Sequence, residues 1–191
     1  MYYEKEGFKM KLTKKELFTI PNIMGYIRIL LIPVFCYYYL HENYGIASIL
    51  VFVSSISDLF DGMIARKFNM VSDLGKILDP VADKLTHAAL AICLAIHYPL
   101  MRYLLVFMII KEGYMAIMGI LLIKKGEKIT GAQWCGKVCT ATLFIGMFIL
   151  FLFPYLDASI VNGIIVIMTL VMTYTFARYI YIHYHILKKL R

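Results

Sequence analysis

Residues 58–83 read DLFDGMIARKFNMVSDLGKILDPVAD, and this stretch decides how the rest of the chain is understood. It sets carboxylates beside apolar sequence, where an isolated charge is costly. Asp58 and Asp61 stand three residues apart, and Asp79 and Asp83 four apart, so on two helices each pair shares one face. If those faces meet, four carboxylates converge. Such a group repels itself and takes up protons unless cations neutralise it. Two divalent ions would balance the four charges. Hard oxygen donors suit Mg²⁺, Mn²⁺ or Ca²⁺, and a pair of such ions is a recurring device of phosphoryl chemistry.

The residues between the acidic pairs extend this reading. Gly62, Ala65 and Gly75 carry almost no side chain and let a flat or bulky ligand approach the backbone. Arg66, Lys67 and Lys76 supply positive charge beside the same point, the arginine with the geometry to hold phosphate through two bonds. The stretch reads as a nucleotide or diphosphate pocket.

Asp58-x-x-Asp61-Gly62-x-x-Ala65-Arg66, eight further residues, then Gly75-x-x-x-Asp79-x-x-x-Asp83 resembles the full signature of the CDP-alcohol phosphatidyltransferase family, with all eight fixed positions filled. The resemblance implies transfer of a phosphatidyl group from CDP-diacylglycerol to an alcohol, with CMP released. It makes Asp58, Asp61, Asp79 and Asp83 ligands of two Mg²⁺ or Mn²⁺ ions and gives Asp83 the second role of general base towards the acceptor hydroxyl. Gly62, Ala65, Arg66 and Gly75 would line the CDP site. A homodimer is also implied.

The surrounding chain suits such a site. Its 191 residues are 61% hydrophobic, with a mean hydropathy of +0.74, which is too apolar for a soluble domain and marks a membrane protein. Glu4 and Glu6 interrupt the first residues, and no short apolar core with a small-residue cleavage site follows, so the first apolar span is expected to be retained. The formal charge of +8 is dispersed among apolar spans. That pattern suits anionic lipid headgroups and argues against a nucleic-acid partner. Cys36, Cys93, Cys135 and Cys139 show no metal-type spacing and are expected to be free thiols.

The fold expected is an all-α membrane protein of six transmembrane helices, near 22–41, 46–66, 77–98, 101–124, 134–154 and 158–187, each near the length that a bilayer requires. Residues 1–20 combine five lysines with Leu12, Leu17 and Phe18 and read as a short amphipathic helix on the membrane surface, with a solvated tail as the alternative. Residues 21–191 form one domain, entered through a turn at Ile20, Pro21 and Asn22. The N-terminal lysines, Lys67, Lys76, Lys124, Lys125, Lys128, Lys188, Lys189 and Arg191 fall on one side, against Arg102 on the other. By the positive-inside rule, both termini and the aspartates face the cytoplasm of a multi-pass cell-membrane protein.

Charged residues inside spans are functional candidates by default. Arg28, Lys111, Glu112 and Arg178 qualify, and Lys111 and Glu112, about 100° apart on a helix, need not pair with each other. Lys137, beside Gly136 at the start of the fifth span with Thr140 one turn later, is a candidate holder of an acceptor phosphate, or a residue that snorkels to the interface.

Within the family, the IPN segment and the run SDLGKILDPVADKL resemble the bacterial phosphatidylglycerophosphate synthases, which use glycerol 3-phosphate. Those enzymes commonly carry an Arg-Glu pair and a GKxKT-like segment, where this chain has Lys111-Glu112 and Gly136-Lys137-Val138-Cys139-Thr140. Phosphatidylglycerol as the acceptor, giving cardiolipin, is the alternative inside the family. A divalent-ion transporter is the alternative of another class, opposed by the absence of repeat halves and by the clustering of the carboxylates at one membrane face.

Overall fold

In the computed structural model of the chain the described residues are 19–67, 72, 74–125 and 134–189, without the side chains of residues 59, 61, 62, 64–66, 76 and 189. The expected amphipathic helix lies outside the described residues. Those described form six helices: α1 (Ile20–Leu40), α2 (Tyr44–Lys67), α3 (Gly75–His97), α4 (Pro99–Lys124), α5 (Trp134–Leu152) and α6 (Ala158–Lys189). The all-α reading holds, and each expected span finds its helix.

The start of α1 differs from the expectation. Ile20, Pro21 and Asn22 are not a turn before the helix but its first turn: extended Thr19 precedes them, and its carbonyl accepts the Ile23 amide at 3.0 Å. Proline is at home there, because its missing N–H belongs to a group that has no helical partner in any case.

By length and composition α1, α4, α5 and α6 are each able to cross a membrane, and the apolar part of α2 is the shorter run Tyr44–Asp58. The two helices that fall short on apolarity are those that carry the acidic motif. Their 24 and 23 residues give lengths of about 36 and 35 Å at the helical rise, enough for a hydrocarbon core of about 30 Å. Large apolar side chains stand exposed along the helices, among them Ile27, Leu30 and Val34 on α1, Ile109 and Ile117 on α4, and Ile167 and Leu170 on α6. In water such faces would be an aggregation liability; in a bilayer they are the wetted surface. The chain is a membrane protein.

The chain divides into two compact units, residues 1–89 and 90–191. In the first, α1 folds back onto α2 through residues 41–43, where Glu42 takes a positive φ of 62° and the His41 and Asn43 amides bond the Tyr37 and Tyr38 carbonyls. The buried stripe of α1 runs through Asn22, Gly25, Arg28, Phe35 and Tyr39, at helical spacing. In the second unit α6 packs against α4 and α5. Glycines let α5 and α6 come close: a Cβ at Gly136 would run into the Tyr179 hydroxyl, and one at Gly146 into the Met168 sulfur. All four cysteines are free thiols, as expected.

Candidate functional site

Asp58 inherits its position from the buried stripe of α2. Ala47, Val51 and Ser54 are buried at intervals of four and three residues, and Asp58 follows four later on the same face. On α3, Gly75, Ala82 and Thr86 are buried, with Asp79 and Asp83 half-buried along the same side. Within the first unit these two faces meet Arg28 of α1. The site thus stands where the apolar stripes of three helices turn polar.

Arg28 is 2% exposed. Its Nη1 donates to Asp83 Oδ1 at 2.9 Å and pairs with Asp58 Oδ1. The Asp58 and Asp83 carboxyls also stand within hydrogen-bonding reach of each other, and Asp79 lies in the electrostatic field of both Arg28 and Asp58. The carboxyls are far more open than the arginine, at 38% for Asp58 and 47% for Asp83. The cation therefore comes from the buried side, and the acidic side chains are the more accessible members of the cluster.

A second set of contacts fixes the start of α3. The Gly75 amide donates to Ser72 Oγ at 2.9 Å, which satisfies one of the donors that a helix start leaves without a partner. Ser72 in turn is bonded to the buried Asn22 side chain of α1, whose Nδ2 lies 3.0 Å from Ser72 Oγ. A Cβ at Gly75 would stand 2.9 Å from Asn22 Oδ1 and 3.1 Å from Ser72 Oγ. The close approach that glycine permits here is that of Asn22, a packing reason that stands beside the expected contact with a ligand. One turn further, Leu78 Cδ2 would be 2.7 Å from a Cβ at Gly25, so α1 and the start of α3 approach closely along this edge as well.

Asp61, Gly62, Ala65 and Arg66 lie on α2 between Asp58 and the helix end at Lys67; their side chains, and that of Lys76, are outside the described residues. Among the described residues no three acidic, histidine or cysteine side chains stand in ligating geometry, and the Oδ1 atoms of Asp58 and Asp83 are both turned onto Arg28. The donor set still fits a hard divalent ion: its atoms are carboxylate oxygens, they are open to solvent, and they already gather about one cation.

The remaining candidates belong to the second unit. Lys137 is exposed in the first turn of α5, and Thr140 Oγ1 bonds the Gly136 carbonyl at 3.0 Å. Arg178 is exposed on α6. Lys111 and Glu112, which need not have met, form an ion pair at 2.8 Å; the lysine stem is long enough to span the angle between neighbouring positions. The sequence singled out Arg28 as a charge inside a span but did not join it to the aspartates. The signal was there, since a lone arginine in an apolar span calls for acidic partners. Asn22 and Ser72 were missed, and their separation of 50 residues leaves no local pattern to find.

Comparison with known proteins gives this arrangement a context. Over residues 18–175 the chain matches the family described as CDP-alcohol phosphatidyltransferase. It is similar to a cardiolipin synthase (CMP-forming) of Streptomyces coelicolor, 29% identical over 165 residues that cover 83% of this chain and 74% of that protein. It is also similar to a CDP-diacylglycerol--glycerol-3-phosphate 3-phosphatidyltransferase of Bacillus subtilis, 31% identical over 169 residues, 75% of this chain and 86% of the relative. A cardiolipin synthase (CMP-forming) / mitochondrial hydrolase fusion protein of Schizosaccharomyces pombe is 39% identical over 83 residues, which are 44% of this chain and only 14% of the fusion. The family match begins just ahead of α1, contains the whole acidic motif and ends within α6, and the chain belongs to the CDP-alcohol phosphatidyltransferase family.

Proposed function

We propose that the protein transfers the phosphatidyl group of CDP-diacylglycerol to glycerol 3-phosphate, giving phosphatidylglycerol phosphate and CMP. The observation that supports this most directly is the meeting of Asp58 and Asp83 on Arg28, at two fixed motif positions of a chain that belongs to this family. Asp58, Asp61, Asp79 and Asp83 would hold two Mg²⁺ or Mn²⁺ ions. Bound there, the ions would neutralise the diphosphate and the departing CMP.

The chain's own residues would do the rest. Asp83 accepts the proton of the acceptor hydroxyl, whose oxygen then attacks phosphorus as CMP leaves. The displacement is direct, the acceptor oxygen taking the place of CMP on phosphorus in one step. Gly62, Ala65, Arg66 and Gly75 would line the CDP moiety. The asymmetry of positive charge supports cytoplasmic termini and a cytoplasmic site, where a water-soluble acceptor enters. The family resemblance supports a homodimer.

A second reading takes phosphatidylglycerol as the acceptor and cardiolipin as the product. It is favoured by Cys139, which stands where the enzymes using glycerol 3-phosphate commonly carry a second basic residue, and by the S. coelicolor relative, which aligns with 83% of the chain. The deciding experiment is CMP release from CDP-diacylglycerol by the purified protein with Mg²⁺ or Mn²⁺, in parallel with glycerol 3-phosphate, phosphatidylglycerol, inositol and serine. Stimulation by glycerol 3-phosphate alone is expected. Stimulation by phosphatidylglycerol alone establishes the second reading, and no release with any acceptor refutes both.

A further inference from the structure

A guanidinium buried to 2% exposure and flanked by two half-open carboxyls is arranged in an unusual way for a salt bridge. The positive group is fixed from within, and the negative groups are the accessible ones. One nitrogen, Arg28 Nη1, contacts the Oδ1 atoms of both Asp58 and Asp83. These residues belong to different helices, α2 and α3, and a cation placed between them ties the two helices to α1. Asp58 and Asp83 are also two of the residues that would hold a divalent ion.

Resting on the reading of the aspartates as metal ligands, we infer that Arg28 is a tethered cation that takes the bridging position between Asp58 and Asp83 and competes with the incoming divalent ion for the same two oxygens. It is a positioning residue. Without an ion it holds α2 and α3 together against the repulsion of their carboxylates, so that the site is assembled before the metal arrives. With an ion present it lowers affinity, since one unit of positive charge already stands at the site. Both effects follow from charge and distance alone.

The test uses the full chain purified in detergent, as wild type, Arg28→Gln and Arg28→Lys. Mn²⁺ binding is read from the spin-resonance signal of the free ion, and thermal unfolding is recorded with chelator and with saturating Mn²⁺. Arg28→Gln is expected to unfold earlier than wild type with chelator, and to gain a larger rise in Tm from Mn²⁺. Its Mn²⁺ dissociation constant is expected to fall by about tenfold or more, as removal of a like charge a few ångströms from the ion requires. Arg28→Lys, which keeps the charge, is expected to stay near wild type in both readings.

An arginine with a packing role only would lower Tm equally with and without Mn²⁺ and leave the dissociation constant unchanged, and that result overturns the inference. Weaker Mn²⁺ binding by Arg28→Gln overturns it too. So does an Arg28→Gln protein that fails to fold even in excess Mn²⁺, because the ion should replace the missing cation. If wild type itself binds no Mn²⁺, the reading of the aspartates as ligands fails first and the inference falls with it.

Discussion

Ser72→Ala tests whether the start of α3 is held by its link to α1. The substitution removes the acceptor of the Gly75 amide and the partner of the Asn22 side chain, bonds of 2.9 and 3.0 Å. Two ordinary hydrogen bonds contribute about 2 kcal/mol between them, and leaving the polar end of a buried side chain short of a partner adds about 1–2 kcal/mol. The expected loss is therefore about 3–4 kcal/mol of unfolding free energy. Asn22 is 1% exposed, so water cannot readily take over its bond.

Reversible unfolding in mixed micelles measures the loss, and a cycle with Asn22→Ala isolates the shared part. The double variant should be less destabilised than the sum of the singles by about 1 kcal/mol or more, as for residues in one network. Amide exchange adds a local reading: protection of the Gly75 amide should fall in Ser72→Ala. A Ser72→Ala protein within about 0.5 kcal/mol of wild type, or strict additivity in the cycle, would refute the role given to this pair.

Gly75→Ala pushes a methyl group to within 2.9 Å of Asn22 Oδ1 and is expected to cost about 1–3 kcal/mol, measured by the same unfolding; a neutral result would mean that Asn22 has room to yield. Gly136→Ala drives a methyl group against the Tyr179 hydroxyl, so it should destabilise the α5–α6 contact, and Tyr179→Phe in the same protein should restore part of the loss in thermal unfolding. Asp83→Asn should fold and release CMP about 100-fold more slowly or worse, the scale of a lost general base; purified Asp83→Asn at full activity would remove Asp83 from that role.

The helices were legible because their signal is local. Apolar runs interrupted by polar hinges set the spans at 101–124 and 158–187, and the structure places α4 at Pro99–Lys124 and α6 at Ala158–Lys189. That Asp79 and Asp83 share one side of α3 was legible for a similar reason: a spacing of four puts both on one helical face. What lay beyond the sequence was which helix each face meets. Arg28 is separated from Asp83 by 55 positions, and periodicity names a face without naming its neighbour. Gly75 was read as room for a ligand, yet the nearest atoms to a side chain there belong to Asn22 and Ser72. The pairing of Lys111 with Glu112 was not foreseen because a helical-wheel angle describes where a side chain leaves the backbone and says nothing of how far a long one can turn.

The same contacts serve both the fold and the site, and the charges explain why. Alone in the interior of a membrane protein, Arg28 would be costly, and so would Asp58 and Asp83. Removing the carboxylates would leave the buried guanidinium uncompensated, whereas the half-exposed carboxylates themselves keep access to water. A fold that brings Asp58 and Asp83 together is helped by a positive group to keep α2 and α3 together, and α1 supplies one from the stripe that also carries Asn22 and Gly25. The first helix holds α3 at its start through Asn22 and Ser72 and two turns further on through Arg28 and Asp83. Between those two fixed points lies Asp79, whose backbone has little freedom left to drift. On this argument the acidic motif is positioned mainly by α1, a helix that contains none of its residues, and changes on the buried face of α1 should affect the site more than equal changes on its lipid-facing side.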